Sequence, residues 1–247
     1  MPAASVELIQ VTDSVHIART ALVNWTVVTD AGGAMLIDAG FPGQRAEVLA
    51  SLRQLGFDHR DLRAILLTHA HIDHFGTAIW LAAEHRIPVY CHADEVGHAQ
   101  REYLEQASPI DVVLHAWQPR WLLWSAEIAR KGAFVHIGIP SAQALTEDIA
   151  ATLPGRPVAI PTPGHTGGHC SYLVDGVLVS GDALVTGHPT TGRRGPQLLH
   201  KVFNHNQFDC VRSLGALALL ETEVLVPGHG PVWRGPIREL AEQAEKA

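Results

Sequence analysis

Cysteine is scarce in this chain, and the little there is does not pair. Only Cys91, Cys170 and Cys210 occur, an odd number, widely separated and with no Cys-x-x-Cys among them. That argues against a disulfide framework and fits a reducing compartment. No window of about 18 uninterrupted apolar residues is present, the minimum for a membrane helix. Met1-Pro2-Ala3-Ala4-Ser5-Val6-Glu7 lacks the basic head and apolar stretch of a secretory leader. A cytoplasmic protein that does not engage a membrane is the expectation. No run of Lys or Arg forms a stripe, and the formal net charge is -7. A nucleic-acid surface is therefore not expected.

Apolar residues are plentiful, with 47% hydrophobic against 17% charged over 247 residues. Such a chain can bury a sizeable core. Its length allows one large domain or two small ones. No low-complexity linker divides it, so one domain over 1–247 is expected, with a helical insertion at about 93–150.

Residues 6 to 38 read as strands: 6–11, 15–19, 21–29 and 34–38, the last two joined by Asp30-Ala31-Gly32-Gly33, good hairpin chemistry. From Gln44 the period changes. Val48, Leu49, Leu52 and Leu55 fall at helical spacing before Gly56. A strand over 62–67, a helix through Ile79, Trp80 and Ala83, and a strand over 88–91 follow. This order suggests a mixed sheet with helices outside it. Between 93 and 150 the strand signals fade. Trp117, Trp121, Trp124 and Ile128 recur at steps of four, three and four, on one helix face. That stripe either packs on the core or caps a substrate pocket. Strands return at 157–161, 170–174, 177–180 and 224–226, and helices are read over 214–220 and from Pro236 through Ala244.

The chemistry is concentrated in Thr68-His69-Ala70-His71-Ile72-Asp73-His74, where an apolar strand runs into four metal-ligand side chains within six residues. Imidazole with carboxylate suits Zn²⁺, and Fe or Mn as alternatives. Asp73 and His74 are adjacent and point in different directions, so one ion does not take all four. Further on, strands that stop abruptly present His165, Asp182 and His229 at their tips. Seven such residues are what two adjacent ions need, with positions left open for water, as a catalytic site requires.

Together with Asp38, the stretches Thr68 to His74, Gly164-His165, Gly181-Asp182 and Gly228-His229 resemble the motif set of the metallo-β-lactamase fold superfamily. The resemblance implies an α+β fold, a four-layer αββα sandwich with a dinuclear site along one edge. It implies that His69, His71 and His165 hold one metal, that Asp73, His74 and His229 hold the second, and that Asp182 bridges. Asp38 would steady the ligand loop by hydrogen bonding. It points to the aspartate-bridged branch, with glyoxalase II and lactonases, rather than to true β-lactamases. Glyoxalase II would carry a long helical C-terminal domain for its glutathione thioester, whereas 18 residues follow His229 here.

Two divalent ions about 3.5–4 Å apart share a water and lower its pKa towards 7. The expected reaction is attack by that bridging hydroxide on a carboxylic ester, lactone or thioester. Asp73 would orient the nucleophile or pass a proton to the leaving group. The substrate is expected to be a small molecule with an apolar group. The alternatives are a phosphodiesterase with the same metals, a mononuclear iron oxygenase of the persulfide dioxygenase type, and a non-catalytic binding module. His169 reads as a supporting or packing residue; His188, His200 and His205 read as polar surface more than pocket. Tyr172 and Tyr103 read as packing, and Cys170 as a small buried apolar residue.

Overall fold

The structure, a computed structural model, describes residues 6–107, 110, 112, 114, 115 and 117–247. Its backbone is ordered by alternation of apolar side chains across two sheets. Strands β1 (Glu7–Gln10), β2 (Val15–Arg19), β3 (Asn24–Asp30), β4 (Gly33–Ile37), β5 (Leu62–Leu66), β6 (Val89–Cys91) and β7 (Gln143–Ala144) pair in sequence order. The first four are antiparallel; β4 to β7 run parallel. The second sheet pairs β8 (Val158–Pro161), β9 (Cys170–Val174), β10 (Val177–Gly181), β13 (Val224–Pro227) and β14 (Trp233–Arg234), with β10 and β13 parallel. A separate hairpin joins β11 (Val185–Gly187) to β12 (Arg194–Gln197).

Successive side chains on a strand face opposite ways, and the core divides accordingly. From β4, Met35 and Ile37 enter the space between the sheets, where they meet Tyr172, Val174 and Val179 of the second sheet. Ala34 and Leu36 face the other way, towards α1 (Arg45–Gln54) and α2 (Ile72–His85), which bring Val48, Leu52, Phe75 and Leu81. On the far side of the second sheet, Leu178 and Leu225 pack against Leu214 and Leu240. Those two come from helices over Gln207–Leu217 and Ile237–Glu245. Each buried Leu or Val contributes about 1.5–3 kcal/mol, so the four layers of the αββα sandwich follow from the binary pattern of the strands.

Differences from the sequence reading lie where strands are short. Residues 93–150 are not purely helical, because β7 inside them extends the first sheet beside β6. Among the described residues, the long helix of that stretch is Pro119–Arg130. Positions 108, 109, 111, 113 and 116 of the expected insertion lie outside the described residues. Two-residue strands such as β7 and β14 carry no readable period. The helix read over 214–220 begins earlier, at Gln207, where the Asn206 side chain accepts from the backbone N–H groups of Phe208 and Asp209. Such a cap fixes a helix start that apolar spacing alone misses. No helix among the described residues is long and apolar enough to cross a membrane.

Candidate metal centre and active site

Both sheets deliver their functional loops to one edge. Past the end of β5, His69 and His71 occupy a loop, and Asp73 and His74 lie in the first turn of α2. A carboxylate at a helix N-terminus is favoured by the helix dipole. His165 lies between β8 and β9, Asp182 directly follows β10, and His229 follows β13.

Asp182 stands at the centre of the cluster. Its Oδ2 lies 3.3 Å from both His165 Nε2 and His229 Nε2, and 4.0 Å from His69 Nε2. Its Oδ1 lies 3.5 Å from His74 Nε2. Asp73 Oδ2 is 3.5 Å from His229 Nε2 and 3.8 Å from His74 Nε2. Three groups bring their ligand atoms within 4.8 Å of one another: His69, His71 and His165; His69, His74 and Asp182; Asp73, His74 and His229. All seven residues are buried except Asp73, whose side chain is 22% exposed.

What each imidazole presents to this centre is dictated from outside. A carbonyl can only accept, so the hydrogen bond to Glu105 O puts the proton of a neutral His71 on Nε2 and leaves Nδ1 as a lone pair. Leu22 O likewise takes the Nδ1 proton of His229 at 2.7 Å. The Asp38 carboxylate accepts from His74 Nδ1 at 2.8 Å. Asn204 Oδ1 accepts from His165 Nδ1 at 2.9 Å. Thr68 Oγ1, which donates to Asp38 Oδ2, can accept from His69 Nδ1 at 3.0 Å. Outward bonds of this kind orient the rings of metal-binding histidines and raise their basicity.

The inward-facing nitrogens and carboxylate oxygens are thereby crowded against one another. His71 Nδ1 and His165 Nε2 are 2.9 Å apart, and neither has a proton to offer in these neutral tautomers. His69 Nε2, His74 Nε2 and Asp182 Oδ1 are buried with no hydrogen-bond partner among the described residues. An unpaired buried polar atom costs about 1–3 kcal/mol, so the centre favours a cation. The titration of the cluster agrees. Burial pushes His69 and His71 well below the ordinary imidazole range. Burial acts the same way on His74 and His229, but Asp182 and Asp73 outweigh it, lifting His74 well above that range and His229 to about 9. Asp182 stays ionised despite its burial, held low by His229 and His74. Five imidazoles and two carboxylates, without thiolate, fit divalent zinc, iron or manganese.

The family model described as the metallo-beta-lactamase superfamily matches residues 19–229. The chain belongs to the metallo-beta-lactamase superfamily. Two relatives from Bacillus subtilis (strain 168) align over most of its length. The uncharacterized protein YobT is 32% identical over 232 residues, covering 91% of this chain and 90% of that one. The probable metallo-hydrolase YflN is 30% identical over 227 residues, covering 85% and 81%. A hydroxyacylglutathione hydrolase of Alkalilimnicola ehrlichii is 32% identical over 146 residues, 59% of this chain but 41% of that relative. Among solved structures, a metallo-beta-lactamase family protein from Thermus thermophilus superposes with a TM-score of 0.62 at 25% identity, covering 91% and 73% of the two chains. The Rm3 metallo-beta-lactamase, at 17% identity and a TM-score of 0.67, covers 98% and 92% and shares the fold. The chain is a metal-dependent hydrolase of this superfamily.

In this superfamily member, residues beyond the sequence-derived set hold the centre together. Glu95 is fully buried and was not singled out by its sequence position. Its Oε1 accepts from Ala70 N at 2.7 Å and from His98 Nδ1 at 2.8 Å, while Oε2 accepts from Thr166 Oγ1 at 2.8 Å and Gly168 N at 3.1 Å. One carboxylate thus ties the His69–His71 loop to the His165 loop. The Glu95/His98 spacing of three just after β6 was the available signal. His169 supports the centre, its Nε2 accepting from Asp182 N at 3.1 Å. Tyr172 packs in the core and donates to Leu67 O at 2.9 Å. Tyr103 is 41% exposed and donates to Asp94 O at 2.7 Å. Cys170 is buried.

A cavity of about 390 Å³ opens over the cluster, floored by Asp73, Asp182 and His229 and walled by Trp124, Ile128, Phe134 and Phe203. The tryptophan stripe therefore does two jobs. Trp121 is buried and stacks on Phe203 with centroids 5.4 Å apart, Trp124 and Ile128 line the cavity, and Trp117 is exposed. His188, read from sequence as polar surface, is instead buried in the cavity wall, its ring centroid 4.8 Å from that of His229. His200 packs against Trp121, and His205 is largely exposed beside Glu105.

Proposed function

We propose that this chain is a dinuclear metallohydrolase of carboxylic esters, lactones or thioesters carrying an apolar acyl or aryl group. In this reading His69, His71 and His165 hold one divalent cation, Asp73, His74 and His229 hold the other, and Asp182 is shared. Zinc suits the donor set best, with iron or manganese as alternatives. Such a pair would lower the pKa of a shared water towards about 7 and polarise a carbonyl. Asp73, the most exposed of the seven, would orient the attacking water or pass a proton to the leaving group if one of its oxygens alone binds metal. The walls formed by Trp124, Ile128 and Phe203 exclude water around the acyl group. We read residues 1–247 as one domain, with 93–150 added over the site.

The observation that carries this reading is Asp182, whose two oxygens face histidines of both sets, in a cluster where His69 Nε2, His74 Nε2 and Asp182 Oδ1 have no hydrogen-bond partner among the described residues. The apolar cavity above it supports an acyl substrate. The name of the hydroxyacylglutathione hydrolase relative supports a thioester. Elemental analysis of protein purified without added metal, with a panel of nitrophenyl esters, lactones, thioesters and bis-nitrophenyl phosphate, tests it. Two metal equivalents with ester, lactone or thioester turnover are expected. Turnover of the phosphodiester alone, or one iron with oxygen uptake, would replace this reading. A metallated protein that turns over none of the panel would be a binding module.

A further inference from the structure

A second depression lies beside the metal cavity and has the opposite character. It encloses about 840 Å³ between β2 and the β11–β12 hairpin, and Arg19, Arg120, Arg193 and Arg194 line it. Among its described lining residues the one acidic side chain is Glu7, which pairs with Arg19 at 2.5 Å. In a chain of net charge -7 with 18 Lys and Arg, four arginines around one groove are a local reversal of sign. No lysine is among its described lining residues, and the guanidinium fork matches phosphate oxygens where an ammonium does not. Arg120 is held by its bond to Thr191 O at 3.1 Å and Arg193 by its bond to Ala247 O at 2.5 Å. Arg194 is paired through its backbone in the β11–β12 hairpin, and its guanidinium has no hydrogen-bond or ion-pair partner among the described residues.

The groove adjoins the reacting centre. His188 lines both it and the metal cavity. Leu22, whose carbonyl fixes the His229 ring, and Gly230 lie on its wall. Resting on the hydrolase reading above, we propose that the substrate has two ends. Its apolar acyl group fills the 390 Å³ cavity, and a phosphorylated leaving group lies along the arginine groove.

The test compares two octanoyl thioesters, one of N-acetylcysteamine, which is uncharged, and one of coenzyme A, which carries phosphates, on the metal-loaded enzyme. At an ionic strength of about 0.02 M, where the Debye length is long, kcat/KM for the phosphorylated thioester should exceed that for the uncharged one at least about tenfold. The ratio should collapse in about 0.5 M NaCl, and R194E should lower it at low salt. The salt series needs no variant to fold. Equal, salt-independent turnover of both thioesters overturns the groove and leaves the hydrolase reading standing. If neither is hydrolysed, the thioester reading falls, and calorimetry with adenosine 3′,5′-bisphosphate decides the groove separately. Salt-sensitive binding that R194E removes upholds it, and absence of binding overturns it.

Discussion

Asp38, just past the end of β4, and His74 of α2 are 36 positions apart, yet Asp38 Oδ2 accepts from His74 Nδ1 at 2.8 Å in a buried contact. The same carboxylate accepts from Thr68 N and Thr68 Oγ1, both at 2.8 Å, so it sets two parts of the histidine loop at once. The end of β4 is thereby rigidly coupled to the loop after β5. Asp38 itself sits at φ +63, a left-handed conformation that Asp and Asn tolerate better than most residues.

Asp38→Asn should keep the fold, because Asn accepts that backbone conformation, but it cannot accept from all three donors. Metal affinity is expected to fall about 10–100-fold, the usual cost of losing a partner behind a metal-binding histidine. Asp38→Ala should in addition lower stability by about 1–3 kcal/mol through the donors left unpaired. Competition against a chromogenic chelator, with a denaturant titration, separates the two. Unchanged affinity in both variants would show that the contact is dispensable.

Asp182→Asn keeps shape and removes charge. With Asp182 shared between the two histidine sets, the variant should lose at least one metal equivalent and most turnover, read by elemental analysis and initial rates. Retention of both metals with full activity would sink the sharing of Asp182.

Gly228 meets the same carboxylate from the other side. A Cβ built on it would lie 2.3 Å from Asp182 Oδ1 and 2.7 Å from His74 Cε1, distances no carbon tolerates. Gly228→Ala must therefore displace Asp182, and weaker metal binding with a lower melting temperature is expected. A crystal structure of the variant with Asp182 unmoved would refute this.

Much of this was legible in the chain, and the exceptions share a cause. The unbroken apolar run Ala34-Met35-Leu36-Ile37 announces a strand buried on both faces, and the cluster from His69 to His74 announces ligands. Glu95 reads as an ordinary surface acid in a polar run, because only the approach of Ala70, Thr166 and Gly168 from distant loops buries it. His188 is hidden for the same reason. Its place beside His229 is set by the β11–β12 hairpin, whose short, glycine-containing strands show no period.

Protons and metal should compete for the centre. In metal-free protein the carboxylates hold a proton on His229, whose pKa is raised to about 9, and on His74, which is also raised. Metal needs those nitrogens bare, so zinc binding at pH 7 should release at least about one proton per chain, and fewer above pH 9. Calorimetry in buffers of differing ionisation enthalpy measures this. A folded pKa above the unfolded value means that the stability His229 contributes to metal-free protein is complete below about 6.5. It is then lost as pH rises through 9. His169 has the opposite sign. Burial, with help from His165, drives it to about 3, so its contribution is present above about 6.5 and lost as pH falls towards 3.

Trp124 tests how the apolar cavity is used. It lines the cavity over the metal cluster and is held edge-on against His188 and Phe203, at 5.6 Å in each case. Truncation to Ala enlarges the space available to an acyl chain without touching any of the seven residues of the cluster. For short acyl esters the lost contact should raise KM about 10–200-fold, the range for methylene-scale differences in an apolar pocket. A longer or bulkier acyl group that occupies the vacated volume should recover much of that loss. The variant would then shift its preference along a homologous series of nitrophenyl esters while its metal content stays at the parent value. A uniform loss at every chain length, with metal content intact, would mean that Trp124 braces His188 and His229 rather than contacting substrate.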